Sequence, residues 1–227
     1  MQNIRKVGGV APISPSLLLH FDGSNNGTTF TDSSLNNFAA GLFGSPITST
    51  TQIKFGSASG YFNNSSLIYF SDNSAFDLSS TNFCIECWVY PLSLSENYSG
   101  LFTKDDYGNS FSYGLLLTDT TIEFRWNAFT EFLTANYSLS LNSWQHIAVT
   151  NSGGTLRIFV NGDEKNSQSS VVITNASDNL FIAGTNGSFQ SEESVFFDGY
   201  IDEFRIVNNN AIYTANFTPP SSPFPNP

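Results

Sequence analysis

Short apolar runs recur along the whole chain, and many of them alternate with polar residues in the two-residue period of a β-strand. Residues 83–90, 144–150 and 156–160 are the clearest strand candidates. Gly, Asn, Asp and Ser fill the breaks between runs, and Asn161-Gly162 is a strong signal for a two-residue hairpin turn. No window has the 3.6-residue period of an amphipathic helix. The pattern therefore predicts an all-β chain folded as a sandwich or a barrel.

The strand predicted over residues 196–207 is rich in aromatic and β-branched residues and carries an acidic pair. Strict alternation places Asp202 on one face with Phe204, which we interpret as the core face. A carboxylate that points inward needs a cation, a metal ion or several N–H donors. The same alternation places Glu203 and Arg205 together on the opposite face, where they can form an ion pair.

Charged residues make up only 12% of the 227 residues, about half the usual share of roughly 25%, whereas aromatic residues make up 15%. The net charge is −11, and the 8 basic residues are scattered. Nucleic acid and anionic membranes are therefore not expected as partners, whereas neutral ligands and cations such as Ca²⁺ suit this surface. No stretch approaches the roughly 20 apolar residues that span a bilayer, so no membrane insertion is predicted.

The two cysteines, Cys84 and Cys87, have the C-x-x-C spacing of redox and zinc motifs. They lie in a predicted strand, however, and strand residues three apart point to opposite faces. We therefore expect two free thiols packed as small apolar groups. A chain without disulfides fits folding in a reducing cytoplasm, and the sequence after Arg5 and Lys6 lacks the apolar run of a secretory signal.

The chain divides into three parts without a linker or an internal repeat. Residues 1–15 form a predicted N-terminal arm, and residues 16–208 form the strand-rich domain. Residues 209–227 form a proline-rich tail. Because proline cannot extend a central strand, we expect this tail to pack on the domain surface.

Several ordered segments of the domain are similar to one known family. They read Leu-His-Phe-Asp-Gly at 19–23, Trp-Gln-His-Ile-Ala-Val at 144–149, Arg-Ile-Phe-Val-Asn-Gly at 157–162 and Gly-Tyr-Ile-Asp-Glu-Phe-Arg-Ile at 199–206. Together they resemble the laminin-G-like, concanavalin A-like lectin/glucanase superfamily, in the form found in phage structural and tail proteins. The resemblance implies an all-β, two-sheet antiparallel jelly-roll sandwich over residues 16–208. For many members it also implies a Ca²⁺ ion and glycan recognition at loops or on the concave sheet.

Glycan-cleaving members of such a family place two carboxylates on one strand face, and a retaining pair lies roughly 5–5.5 Å apart. No two acidic residues of this chain are two positions apart, and adjacent acidic residues on a strand point to different faces. We therefore predict that the protein is not an enzyme. The pattern leaves open a carboxylate pair assembled from two strands.

Asp22 and Asp202 are the predicted ligands of a Ca²⁺ ion, since Ca²⁺ prefers carboxylate and carbonyl oxygens. Asp22 ends the first predicted strand beside Gly23. The first and last strands of this fold type can be neighbours, so an ion there would connect the two ends of the domain. The alternative is that Asp202 accepts backbone N–H bonds or pairs with an arginine.

The best candidate ligand site is the loop that begins at residue 104. Its predicted ligand-binding residues are Asp105, Asp106, Tyr107 and Asn109. Carboxylate and amide oxygens can bind sugar hydroxyls, and the ring of Tyr107 can stack on a sugar ring. The alternative is an ordinary solvated hairpin loop with turn residues.

Three functions follow as expectations from the resemblance and the missing carboxylate pair. The first is a non-catalytic, lectin-like module on the tail or capsid surface of a phage virion, which binds glycan on a host cell. The second is a structural virion protein that contacts other virion proteins or copies of itself without binding glycan. The third is a secreted, extracellular carbohydrate-binding protein. A virion protein would be assembled in the host cytoplasm.

Overall fold

A computed structural model describes residues 13–78, 82–94, 96–106, 110–186 and 195–227. The predicted N-terminal arm thus lies almost entirely outside the described residues. Within them the chain forms fifteen strands and one short 3-10 helix, Ser74–Phe76. In chain order the strands are β1 (Leu17–Leu19), β2 (Gly41–Phe43), β3 (Ile47–Ser49), β4 (Ser59–Phe62), β5 (Leu67–Phe70), β6 (Asn82–Ser93), β7 (Ser99–Asp106), β8 (Ser110–Leu117), β9 (Thr121–Trp126), β10 (Glu131–Asn136), β11 (Gln145–Ser152), β12 (Thr155–Val160), β13 (Asp163–Gln168), β14 (Asn179–Ile182) and β15 (Asp198–Asn208).

The strands form two antiparallel sheets that pack face to face. Sheet A has the order β13-β12-β11-β6-β15-β4-β3, and β1 also pairs with β15. Sheet B has the order β10-β9-β8-β7-β14-β5-β2. The predicted all-β, two-sheet antiparallel sandwich is therefore confirmed. In the part of the chain that the structure describes, no helix has the length and hydropathy of a membrane span.

Alternate residues of both sheets form one apolar core between them. Ile85 and Val149 point inward from sheet A, and Phe124 and Trp126 point inward from sheet B. Trp126 is fully buried, as its shared strand face with Phe124 predicts. Because burial of one large apolar side chain is worth roughly 1.5–3 kcal/mol, this core supplies most of the stabilisation.

A β-bulge in β15 determines which face Asp202 occupies. The pairing of β15 with β6 shifts register between Asp202 and Arg205, and Glu203 has a φ of 51°. The extra residue returns Phe204 to the core face that Ile201 also occupies, so Asp202 lies on the opposite, outer face. The prediction from strict alternation, that Asp202 shares the core face of Phe204, is therefore wrong.

The C-terminal residues 209–227 lie across the outer face of sheet A. Phe217 donates its backbone N–H to the carbonyl of Gly162 at 2.9 Å, in the turn between β12 and β13. Phe224 donates its backbone N–H to Glu203 of β15 at 2.7 Å. These bonds attach the tail to the edge and to the centre of the sheet.

Beneath the tail, Glu86 is fully buried on the outer face of β6. Arg205 donates from Nε (2.8 Å) and Nη2 (2.7 Å) to Oε1 of Glu86. Oε2 of Glu86 lies 2.9 Å from Nε2 of His146 and accepts a hydrogen bond from the hydroxyl of Tyr213 at 3.0 Å. Glu86 therefore connects β6, β11, β15 and the tail.

Arg205 and Glu203 do not form the predicted same-face ion pair. Arg205 binds Glu86, whereas Glu203 lies 2.8 Å from Nδ1 of His20. Glu203 and Arg205 do share the outer face, since Glu203 accepts the backbone N–H of Phe224 and Arg205 lies over the Phe224 ring, but the arginine is already paired with Glu86. The hydrogen bond with Glu203 raises the pKa of His20 to about 9, so His20 is a cation at neutral pH.

Opposing effects act on the pKa of Glu86. Burial raises it, but the hydrogen bond from His146 and the charge of Arg205 lower it by more, so the pKa lies below its usual value. Glu86 is therefore an ionised carboxylate in the folded protein. Removing one member of a buried charge cluster leaves the others without compensation, which costs more than breaking an exposed pair.

Cys84 and Cys87 are free and buried, as predicted. Cys87 belongs to the core, whereas Cys84 lies on the outer face with its Sγ 3.6 Å from Oε1 of Glu86. Burial raises the pKa of both thiols, so neither is a reactive thiolate at neutral pH.

We predict that Glu86→Gln lowers the free energy of unfolding by about 3–5 kcal/mol, because Arg205 loses its counter-charge in a buried site. Urea denaturation at pH 7 measures the loss. The matched control is Glu164→Gln, since Glu164 forms a more exposed pair with Arg157 at 3.3 Å on the same sheet. That substitution should cost about 1 kcal/mol or less. Equal losses for the two variants would contradict the role assigned to Glu86.

Candidate ligand-binding site

Sheet B carries a pocket on its outer face, at the edge formed by β14, β5 and β2. In β5, Ile68 and Phe70 point into the core, so Leu67 and Tyr69 point outward. The same alternation turns Phe181 of β14 outward. This aromatic pocket has a volume of about 280 Å³ and is lined by Phe43, Leu67, Tyr69, Asn179, Phe181, Thr185, Asn186 and Phe196.

Strand register brings the rings of the aromatic pocket together. Tyr69 is the cross-strand neighbour of both Gly41 in β2 and Phe181 in β14. The ring centroids of Tyr69 and Phe181 are 6.1 Å apart. Glycine is required at position 41, because a Cβ there would overlap the Tyr69 ring. Phe43 and Phe196 form a second, stacked pair, with 5.8 Å between centroids and 9° between ring planes.

The pocket combines these rings with uncharged hydrogen-bonding groups. Asn179, Thr185 and Asn186 line it beside the aromatic residues. Phe43 is 56% exposed, so part of the aromatic surface faces solvent. Such a surface can bind a ligand that has both an apolar face and hydroxyl groups. None of the described residues that line the pocket carries a charge.

The predicted ligand loop is connected to this pocket through Asp105. Asp105 is fully buried, and its carboxylate accepts a hydrogen bond from the backbone N–H of Asn186 at 3.2 Å. Asp105 thus holds the backbone of a pocket residue in position. Tyr107 and Asn109 lie outside the described residues, and so does the side chain of Asp106. Ligand binding by these three residues stays a prediction.

The two predicted Ca²⁺ ligands bind one short loop. Oδ2 of Asp202 accepts the backbone N–H groups of Lys54 (3.0 Å) and Phe55 (3.1 Å). Asp22 accepts the backbone N–H (2.5 Å) and the hydroxyl (2.9 Å) of Ser57. Backbone donors therefore bind Asp202, as the alternative interpretation predicts. The described part of the chain contains no group of three or more His, Cys, Asp or Glu side chains suited to hold a metal ion.

The two oxygens of Asp202 differ in their surroundings. Oδ2 has its two backbone donors, whereas Oδ1 is buried with no hydrogen-bond partner among the described residues. Burial raises the pKa of Asp202 to about 7, although the backbone donors act in the opposite direction. Lys54 is the nearby cation, and its Nζ lies 3.8 Å from the ring centroid of Trp88. A bound cation would satisfy the unpartnered Oδ1.

The residues of the aromatic pocket are not among the predicted ligand-binding residues, although the sequence of β5 contains one signal for them. Strand β5 reads Leu-Ile-Tyr-Phe and has no polar alternate position. Such a strand is apolar on both faces, and a core covers only one of them. Phe43 and Phe196 lie in distant segments, and only the folded chain brings them beside Tyr69 and Phe181.

A comparison with protein families agrees with this architecture. Residues 62–211, more than half of the chain, match the family described as the concanavalin A-like lectin/glucanases superfamily. The chain therefore belongs to this superfamily, which confirms the resemblance at the level of the family. None of the curated proteins compared with the chain matches it.

Solved structures share the fold at low sequence identity. Domain 4 of AbnA, a GH43 extracellular arabinanase from Geobacillus stearothermophilus solved with arabinotriose, is 19% identical with a TM-score of 0.63, over 86% of this chain and 93% of that domain. The binding domain of Paraclostridial Mosquitocidal Protein 1 is 16% identical with a TM-score of 0.66, over 88% and 50%. The botulinum neurotoxin serotype D ligand-binding domain, solved with N-acetylneuraminic acid, is 17% identical with a TM-score of 0.66, over 88% and 48%. The chain thus spans about half the length of the two toxin domains, and the likeness is one of fold alone.

The raised pKa of Asp202 predicts a pH dependence of stability. The folded protein holds this proton more tightly than the unfolded chain, so the free energy of unfolding should fall as the pH rises from about 4 to about 7. Asp202→Asn removes the titrating group and should flatten this part of the profile. Urea denaturation of both proteins in EGTA measures the effect, and parallel profiles would contradict it.

Proposed function

We propose that the protein is a non-catalytic, lectin-like module that binds glycan in the aromatic pocket of sheet B. One observation carries the proposal: four aromatic rings and two asparagine side chains line a single depression on the sheet surface. Sugar rings have an apolar face of C–H groups and a rim of hydroxyl groups. Aromatic rings complement the C–H face of a sugar, and amide groups can form hydrogen bonds with its hydroxyl groups.

The lining of the pocket supports binding rather than hydrolysis. Glycoside hydrolysis uses two carboxyl groups, roughly 5–10 Å apart, that both face the sugar. No acidic residue is among the described residues of the lining, and the neighbouring Asp105 is fully buried, where it binds the backbone of Asn186. The described lining can hold a sugar, and it supplies no carboxyl group to act as a general acid or nucleophile.

Proteins of the same fold support a glycan ligand. The arabinanase domain was solved with arabinotriose, and the botulinum serotype D domain was solved with N-acetylneuraminic acid. Two proteins that share this fold thus bind sugars of different chemistry. For this chain, the chemistry of the aromatic pocket suits a sugar.

The setting that we propose is the tail or capsid surface of a phage virion, where the module would bind glycan on a host cell. The sequence motifs that resemble phage members motivate this setting, and assembly would take place in the host cytoplasm. The alternative is a secreted, extracellular carbohydrate-binding protein. Fractionation of the protein with purified virions distinguishes the two.

A structural virion protein without glycan binding is the competing function. The observation that favours it is a set of exposed apolar side chains at Leu35, Leu42, Phe132, Leu141 and Val172. Exposed apolar surface is typical of contacts with other proteins when it is contiguous. Self-association in light scattering, together with the absence of any glycan ligand, would favour this second function.

We also propose that Ca²⁺ binds at Asp22 and Asp202, where it would neutralise the unpartnered Oδ1 of Asp202. An ion that binds only the folded protein stabilises it, so excess Ca²⁺ should raise the melting temperature relative to EGTA by several degrees, at roughly 2–4 °C per kcal/mol. Asp202→Asn should abolish this shift. Equal melting temperatures of the wild-type protein in Ca²⁺ and in EGTA would refute the ion site.

For the glycan site, we predict that Phe43→Ala and Tyr69→Ala each weaken binding about tenfold, because each removes an aromatic contact worth on the order of 1–2 kcal/mol. A glycan array with Ca²⁺ present identifies a ligand, and titration calorimetry measures its affinity for each variant. The matched control is Phe132→Ala, since Phe132 is 53% exposed on β10 at the opposite edge of sheet B.

Melting temperatures close to that of the wild-type protein establish that the variants are folded. A wild-type protein with no ligand on the array would contradict the proposed function. Equal affinities for the wild-type protein and the Phe43→Ala and Tyr69→Ala variants would contradict its location in the aromatic pocket.

A further inference from the structure

We infer that the aromatic pocket selects neutral sugars and discriminates against sugars that carry a carboxylate, such as sialic and uronic acids. This inference rests on the proposed function and adds the chemical class of the ligand. Three features carry it: the uncharged described lining, the Asp105 carboxylate bonded to that lining, and the positions of the described basic residues.

The pocket fits a small, uncharged group. Its described lining consists of five apolar or aromatic side chains and the neutral side chains of Asn179, Thr185 and Asn186. Its volume of about 280 Å³ lies just below the range of roughly 300–1,000 Å³ for small-molecule sites. A mono- or disaccharide unit suits this size.

Two aspartates are bonded to this lining, but only Asp105 through its carboxylate. Asp105 accepts the backbone N–H of Asn186 at 3.2 Å, and Asp72 donates its own backbone N–H to Oδ1 of Asn179 at 3.1 Å. Asp105 brings formal negative charge to the pocket wall, whereas the carboxylate of Asp72 is paired with Lys104 at 3.0 Å. An anionic ligand would be repelled by the charge of Asp105.

The lysine of this region offers no counter-charge. Lys104 is fully buried, and its Nζ binds Asp72 at 3.0 Å and Asp77 at 3.5 Å. It also donates to the carbonyl of Ala176 at 2.5 Å. The charge of Lys104 is therefore already neutralised within the protein, and its side chain has no exposed surface to present to a ligand.

The other basic residues of the described chain have partners elsewhere. Ion pairs join Arg125 to Glu123, Arg157 to Glu164, Lys165 to Asp163 and Arg205 to Glu86. Lys54 lies over Trp88, on the outer face of sheet A. A carboxylated sugar in the pocket would thus lose hydration without gaining a cation among the described residues, a cost that a neutral sugar does not have.

A glycan array that presents the same backbones with and without a sialic or uronic acid, such as lactose and sialyllactose, tests the inference. Neutral members should bind at least tenfold more tightly than their carboxylated partners. Equal or tighter binding of the carboxylated members would overturn the inference and leave the proposed glycan site in place. Binding of no member at all would overturn both.

A substitution in the lining gives a second test. Asn186→Lys adds a cation to the pocket and retains the backbone N–H that Asp105 accepts, so it should reduce the ratio of neutral to carboxylated affinity at least tenfold. Asn186→Gln adds no charge and should retain the wild-type ratio. A folded Asn186→Lys variant with the wild-type ratio would overturn the inference, because charge would then not govern selectivity.

Discussion

The two sheets of this sandwich differ in their outer faces, and the difference depends on the contacts of the buried, ionised carboxylate of Glu86. A charge without exposed surface is tolerated only with its partners in place, and Arg205, His146 and Tyr213 are those partners. Because Tyr213 belongs to the tail, the Glu86 carboxylate has all of its hydrogen-bond donors only when the tail lies across sheet A. Phe224 then covers Arg205, whose guanidinium carbon lies 3.8 Å from the ring centroid. The chain's own C-terminal residues thus occupy the outer face of sheet A.

Sheet B differs from sheet A at its β14-β5-β2 edge, where apolar side chains lie on both faces. The inward set fills the core, and the outward set, with Tyr69 and Phe181, forms the aromatic pocket. Gly41 provides the space for the Tyr69 ring. The outer face of sheet A is therefore covered by the tail, whereas the outer face of sheet B carries the aromatic pocket. The uncharged lining suits recognition of a sugar without chemical conversion.

The fold could be predicted from the sequence because its signals are local and repeated. Short strand patterns, turn residues and ordered motifs each depend on neighbouring residues, and together they define the sandwich. The face of Asp202 could not be predicted in this way, because the bulge at Glu203 adds one residue to a strict period of two. The burial of both cysteines as free thiols could be predicted, because Cys84 and Cys87 lie in a part of β6 where the two-residue period is unbroken.

The candidate site was harder to predict, because it depends on long-range register. Phe43, Tyr69, Phe181 and Phe196 come from four separate segments, and no local pattern relates them. The local sequence favours Asp105 instead as a ligand-binding residue, because carboxylates and turn residues are typical of ligand loops. Its burial follows from tertiary contacts, above all the hydrogen bond from the backbone of residue 186, which no sequence pattern reveals.

A crystal structure of the protein with a neutral oligosaccharide that it binds tests the central claim most directly. We predict that the sugar lies in van der Waals contact with Phe43 and Tyr69, with hydroxyl groups hydrogen-bonded to Asn179 or Asn186. A sugar bound instead at the loop after Asp106, or on the outer face of sheet A, would contradict the account.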